Sequence, residues 1–182
     1  MAKKIVILLA AVIAVAAVLV GTSAYLIASQ PKVKEFKLEL TEFGYNGPTG
    51  GPILKVKAGE TVRVTLVNNG AVDHEFRIVK NRDAFLSDVN KAMERLRTEG
   101  VTEQDGVEKA AVFKEARRLT GLEIIKTSEG LEWDADVKPG ETNTAEFVID
   151  TPGTYWYLCG ELDATFPMTH AHKNMSGQLI VE

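Results

Sequence analysis

The chain has 182 residues, of which 45% are hydrophobic and only six are proline, a composition typical of a folded globular protein. Its formal net charge of −4 gives no basic surface for nucleic acid. Its single cysteine excludes an internal disulfide and a four-cysteine zinc site. The length allows one domain with additional segments.

Residues 1–28 are predicted to be an N-terminal transmembrane anchor or signal segment. Lys3 and Lys4 precede an apolar run of roughly 23 residues, long enough to cross a bilayer as a helix. Secretory signals usually have apolar regions of about 7–15 residues. An uncleaved anchor is therefore favoured, with a cleaved signal as the alternative. Since paired lysines stay cytoplasmic, the rest of the chain is expected to face the periplasm or cell exterior.

After a polar linker at residues 29–34, short strand patterns alternate with glycine and proline turns. The period-two pattern of residues 35–43 predicts a half-buried strand, and the glycine-rich residues 44–52 predict a loop. Short strands at this spacing favour a β-sandwich or barrel. Further strands are predicted at 53–57, 61–67, 76–79, 132–137, 142–149, 154–158 and 178–181.

Residues 81–130 interrupt this pattern and are predicted to form an α-helical insertion. Residues 83–97 place Phe85, Val89, Met93 and Leu96 at helical spacing, with charges on the opposite face. Residues 105–119 are predicted to form a second helix. We expect the two helices to cap the sandwich, and a docking surface for a redox partner is a further hypothesis.

Side chains able to bind a transition metal are concentrated near the ends of predicted strands. Cys159 follows one strand, His170, His172 and Met175 precede the last, and His74 lies just before another. If these strands are neighbours, the donors meet at one end of the sandwich. One thiolate, two imidazoles and a weak axial thioether are the ligands of a mononuclear blue copper site. We therefore predict a copper site here.

The chain resembles the cupredoxin family, the fold of plastocyanin and azurin, in several stretches. These are Ala58-Gly-Glu-Thr-Val-Arg-Val64 with Val67-Asn-Asn69, Asp73-His-Glu-Phe-Arg-Ile78, Lys138-Pro-Gly-Glu-Thr142, Pro152-Gly-Thr-Tyr-Trp-Tyr-Leu-Cys159, and His170 followed by Met175-Ser-Gly-Gln-Leu-Ile-Val181. The resemblance implies an all-β, cupredoxin-like Greek-key β-sandwich over residues 35–182, carrying the helical insertion.

The resemblance also implies a ligand set, which is His74, Cys159, His170 and Met175. Two departures from the family pattern leave alternatives open. The segment between cysteine and second histidine is longer than usual, which could alter the copper geometry or shield the metal. His172 could bind in place of His170, and Met168 is a minor candidate for the axial position.

A family member of this kind binds one copper ion, cycles between Cu(I) and Cu(II), and carries electrons rather than catalysing a reaction. Its partners would be redox proteins of a respiratory or other electron-transfer chain, reached from an N-terminal membrane helix. The chain's three histidines cannot build the trinuclear cluster of a multicopper oxidase. The alternative functions are copper binding and delivery, or small-molecule sensing at the copper.

Overall fold

The computed structural model describes residues 33–99, 109–120, 125, 134–162 and 169–182. The predicted anchor at residues 1–28 lies outside them, while residues 33 and 34 of the predicted linker already belong to the first strand. Among the helices of these described ranges, none is long and apolar enough to cross a membrane.

Two β-sheets form the body of the domain, and their strands largely match the predicted ones. The four-stranded sheet has the order β2-β1-β4-β7, with β1 Val33–Thr41, β2 Gly44–Tyr45, β4 Thr61–Asn68 and β7 Thr142–Val148. The five-stranded sheet has the order β3-β9-β8-β5-β6, with β3 Leu54–Val56, β5 His74–Val79, β6 Asp134–Val137, β8 Gly153–Leu158 and β9 Ser176–Val181.

The inner faces of the two sheets share one hydrophobic core, as a sandwich requires. Along β4 the side chains of Val62, Val64 and Leu66 are buried and alternate with partly exposed ones, because successive strand residues point to opposite faces. Phe76 of β5 stacks on Phe147 of the opposite sheet, with ring centroids 6.3 Å apart. The sequence pattern therefore placed the core on the correct faces.

The two helices described within residues 81–130 pack on the outer face of the five-stranded sheet. Helix α1, Arg82–Thr98, starts at the N-cap Asn81, whose side chain accepts a hydrogen bond from the Ala84 N–H. Helix α2 is Lys109–Thr120. A second core joins both helices to Val79, Leu158 and Ala171. The described helices therefore cap the sandwich, and β5 is buried on both faces.

The segment predicted to be a loop, residues 44–52, begins with the short strand β2. Tyr45 is 1% exposed, and its hydroxyl donates to the backbone oxygen of Glu75 at 2.8 Å. Its ring also contacts Tyr157 edge-on. Burial of this aromatic ring holds β2 in the sheet. The surrounding glycines and prolines give the segment the composition of a loop, so the sequence does not predict the strand.

Candidate metal centre

Three adjacent strands bring the predicted donors to one end of the five-stranded sheet. His74 is the first residue of β5, Cys159 directly follows β8, and Met175 directly precedes β9. Strand β8 pairs antiparallel with both neighbours. The end of β8 therefore meets the start of β9 and lies beside β5. His170 opens a 3₁₀ turn, His170–Lys173, just before β9.

Two imidazoles face the thiol in a buried pocket. The Nδ1 atom of His170 lies 3.5 Å from Sγ of Cys159, and Nδ1 of His74 lies 3.8 Å from it. One donor atom from each of the three residues lies within 4.8 Å of the others. Met175 is also fully buried. A small metal ion fits between such convergent nitrogen and sulfur donors.

Backbone hydrogen bonds tie the donors into one unit. The N–H of Cys159 donates to the oxygen of Met175, and the N–H of Met175 donates to the oxygen of His170, both at 3.1 Å. The N–H of Ala171 donates back to the oxygen of Cys159. Asn174 adopts the left-handed conformation with φ 71°, which asparagine tolerates better than most residues. The cysteine, histidine and methionine are thereby fixed relative to one another.

The lengthened segment after Cys159 does not move His170 away from the thiol. Leu162 and Thr169 form an isolated antiparallel bridge, and the His170 N–H donates to the Glu161 oxygen at 2.9 Å. Residues 161–162 and 169–170 are therefore adjacent, and the additional residues of the segment lie between them in the sequence. Residues 163–168, which include the minor axial candidate Met168, lie outside the described part of the chain.

His172 is engaged elsewhere, in contrast to His170. Its Nδ1 accepts a hydrogen bond from the Thr169 N–H at 3.0 Å, and its Nε2 lies 2.8 Å from Oδ1 of Asn90 in α1. Both ring nitrogens therefore have protein partners. The structure brings His170, not the alternative His172, to Cys159 and His74.

Burial favours the neutral forms of His74 and Cys159 in the metal-free chain. Burial and, to a smaller extent, the nearby His170 lower the pKa of His74 to about 4. Burial also raises the pKa of the Cys159 thiol well above its usual range. Each residue avoids an isolated buried charge. A metal cation must therefore displace the thiol proton when it binds.

A buried ion pair lies behind the thiol and escaped prediction from the sequence. Glu75 and Arg77 are both buried and pair at 2.5 Å, and Arg77 also bonds Asp134 at 2.9 Å. The guanidinium lies 4.6 Å from the ring centroid of Phe113 in α2. The alternating pattern of β5 suggests an exposed charged face, and the helices cover it. The one sequence signal for burial of this charged face is the position of the predicted helical insertion, which directly follows the strand.

The chain is similar to several proteins of known structure. Auracyanin B is similar over 85% of this chain and 91% of its own, with 23% identity and a TM-score of 0.50. Auracyanin A, a "blue" copper protein of Chloroflexus aurantiacus, is 21% identical over 81% of this chain and 99% of its own, with a TM-score of 0.48. A multicopper oxidase is 21% identical over 82% of this chain and 42% of its own, with a TM-score of 0.46. No protein-family model and no curated protein sequence matches the chain.

The likeness to auracyanin B shows the fold, which is a cupredoxin-like β-sandwich. This fold carries a type 1 copper-like site formed by His74, Cys159, His170 and Met175. Imidazole and soft sulfur donors in this combination suit copper better than the hard cations that prefer oxygen. The donor set fits a single copper ion.

Proposed function

We propose that this chain is a type 1 blue copper protein that transfers single electrons between redox partners outside the cytoplasmic membrane. The observation that carries the proposal is the pair of Nδ1 atoms, on His74 and His170, facing Sγ of Cys159 in a buried pocket. Electron transfer favours a site that reorganises little, and ligands held by rigid elements meet that requirement.

Each residue has a distinct role in this proposal. His74, Cys159 and His170 supply the three strong donors, and Met175 supplies the weak axial thioether that tunes the potential. The Glu75 N–H donates to the Cys159 sulfur at 3.3 Å, which stabilises negative charge there. Bound copper contributes the one-electron couple between Cu(I) and Cu(II).

His170 is the proposed point of electron entry and exit. His170 is buried, and the half-buried Phe43 contacts its ring edge-on with centroids 5.6 Å apart. Lys173 lies 4.3 Å from the Phe43 ring centroid. Phe43 thus covers the imidazole, and a redox partner docked over it would come close to a copper ligand.

An electron carrier is preferred over an oxidase because the chain's three histidines cannot supply a trinuclear copper cluster. The partners are proposed to be redox proteins of a respiratory or other electron-transfer chain. The apolar N-terminal run supports attachment to the cytoplasmic membrane with the domain facing the periplasm or exterior, or secretion after cleavage. Copper delivery and small-molecule sensing are the alternative functions.

The test is a spectrum of the copper-loaded full-length chain. We expect intense visible absorption on Cu(II) addition, a narrow copper hyperfine splitting in paramagnetic resonance, and reversible one-electron cycling. Cys159→Ala should abolish the visible band, because that band arises from thiolate-to-copper charge transfer. A colourless complex, or colour that survives this substitution, would refute the proposal. Preference for Cu(I) with ready release to a chelator would instead indicate delivery.

A further inference from the structure

We infer that Arg82 and Asn90 of helix α1 are positioning residues for the copper site. They attach the ligand loop, defined as residues 170–176, to the helical insertion, so that His170 and Met175 keep one arrangement in both oxidation states. This inference rests on the proposed function and assigns a specific role to the insertion.

Arg82 reaches three groups of the ligand loop with one side chain. Its Nε donates to Oγ of Ser176 at 2.9 Å, and its Nη2 donates to the backbone oxygen of Ala171 at 3.1 Å. The same nitrogen lies 3.4 Å from Oδ1 of Asn174. A guanidinium presents its donors in a fixed planar fork. These bonds therefore set the position of loop atoms on both sides of Met175.

Asn90 provides a second attachment about two helical turns further along α1. Its Oδ1 accepts a hydrogen bond from Nε2 of His172 at 2.8 Å. Between these two attachments the side chain of Ala171 is fully buried in the core that contains Val89 and Phe85. Three separate contacts thus hold one turn of the ligand loop against one helix.

Helix α1 is itself fixed to the strand that carries the upstream ligand. Only Lys80 and Asn81 separate β5 from α1, and Asn81 caps the helix. Helix α1 therefore braces the strand of His74 against the loop of His170 and Met175. Without the brace, the loop could relax whenever the copper–ligand distances change with oxidation state.

The experiment compares copper-loaded full-length variants in release rate, potential and spectrum. Arg82→Ala should release copper to a chelator about tenfold faster, with a changed hyperfine splitting and a shifted potential. Arg82→Lys should behave similarly, because an ammonium keeps the charge but not the planar fork. Asn90→Ala should show a smaller change in the same direction. Arg97→Ala, which loses an exposed pair with Glu94 on the same helix, should match the parent chain.

Three results would overturn the inference. The first is an Arg82→Ala variant with the parent's spectrum, potential and release rate. The second is full recovery by Arg82→Lys, which would assign the effect to charge alone. The third applies if Arg82→Ala fails to fold, as shown by loss of the parent's circular dichroism spectrum. The variant at the exposed Asn90, Asn90→Ala, is then the test, and parent-like copper properties in that variant reject the inference. A parent chain without blue colour would instead reject the proposed function.

Discussion

The backbone N–H of Glu75 donates a hydrogen bond to the sulfur of Cys159 at 3.3 Å, across 84 positions of sequence. Strand β5 therefore supplies a ligand through His74 and, one residue later, the donor that fixes the thiol. Behind it, the Glu75 carboxylate pairs with Arg77. The pocket is thus supported from one side by β5 and its ion pair, and from the other by the ligand loop.

Replacement of the two C-terminal histidines should separate a ligand from a neighbour. His170→Ala removes a donor 3.5 Å from the Cys159 sulfur, so the blue absorption should be lost. His172→Ala removes only hydrogen bonds to Thr169 and Asn90, so the band should persist. Visible and paramagnetic-resonance spectra check both variants. Loss of the band in His172→Ala alone would reverse the assignment.

Substitution of Gly160 should destabilise the fold through the buried ion pair. A Cβ at this position would meet Oε2 of Glu75 at 2.6 Å and Cζ of Phe113 at 3.0 Å. Since these groups are held between strand and helix, Gly160→Ala should cost about 2 kcal/mol of unfolding free energy. Gly47→Ala, whose Cβ would meet the Thr49 oxygen at 3.9 Å, should change stability by less than about 0.5 kcal/mol. Urea denaturation of both variants measures the difference, and equal stabilities would contradict the crowding at Gly160.

Stability should depend on pH through Asp134. Burial, a hydrogen bond to Glu75 and the Glu75 charge raise the pKa of Asp134 to about 8, against the opposing charge of Arg77. A carboxyl whose pKa is raised in the folded chain contributes its full stabilisation below about pH 4, where it is protonated in both the folded and the unfolded chain. This stabilisation is lost as the pH rises towards 8. Asp134→Asn keeps a neutral side chain at every pH. Relative to the parent, it should therefore gain stability between pH 4 and 8.

The gain should reach about 1 kcal/mol, because Asp134 is partly exposed and solvent screens its charge. Denaturation of the metal-free chain at several pH values measures it. Glu94→Gln is the contrasting variant, because a hydrogen bond from Arg97 lowers the pKa of Glu94. Its relative stability should not rise over the same interval. A flat difference for Asp134→Asn would show that the carboxyl is already ionised at neutral pH.

Removal of the Phe43 ring should speed electron exchange at His170. Phe43→Ala uncovers the imidazole edge that the ring contacts, so a small anionic oxidant can approach more closely. The visible spectrum should stay the same, because no ligand changes. Phe36→Ala is the control, since Phe36 also lies under a lysine, Lys34. Stopped-flow oxidation measures the rates, and equal rates for both variants would exclude electron entry past Phe43.

Local sequence patterns predicted much of the fold and of the candidate donor set. The alternation along β4 predicted its buried face, and helical spacing placed Phe85, Val89 and Met93 in a core. These signals are readable because burial of a regular strand or helix imposes a fixed period. Strand β2 escaped prediction, because two residues are too short to show a period. Its pairing with β1 and the burial of Tyr45 are visible only in the structure.

The sequence by itself determined which donors exist: one cysteine, three histidines, and the spacing that puts Met175 five positions after His170. Tertiary structure alone decided that His170 faces Cys159 while His172 turns to Asn90. It alone also brought Arg82 to the ligand loop and covered Glu75 and Arg77. The physical reason is that these contacts join residues distant in sequence. Strand pairing and helix packing create them, and no local period encodes them.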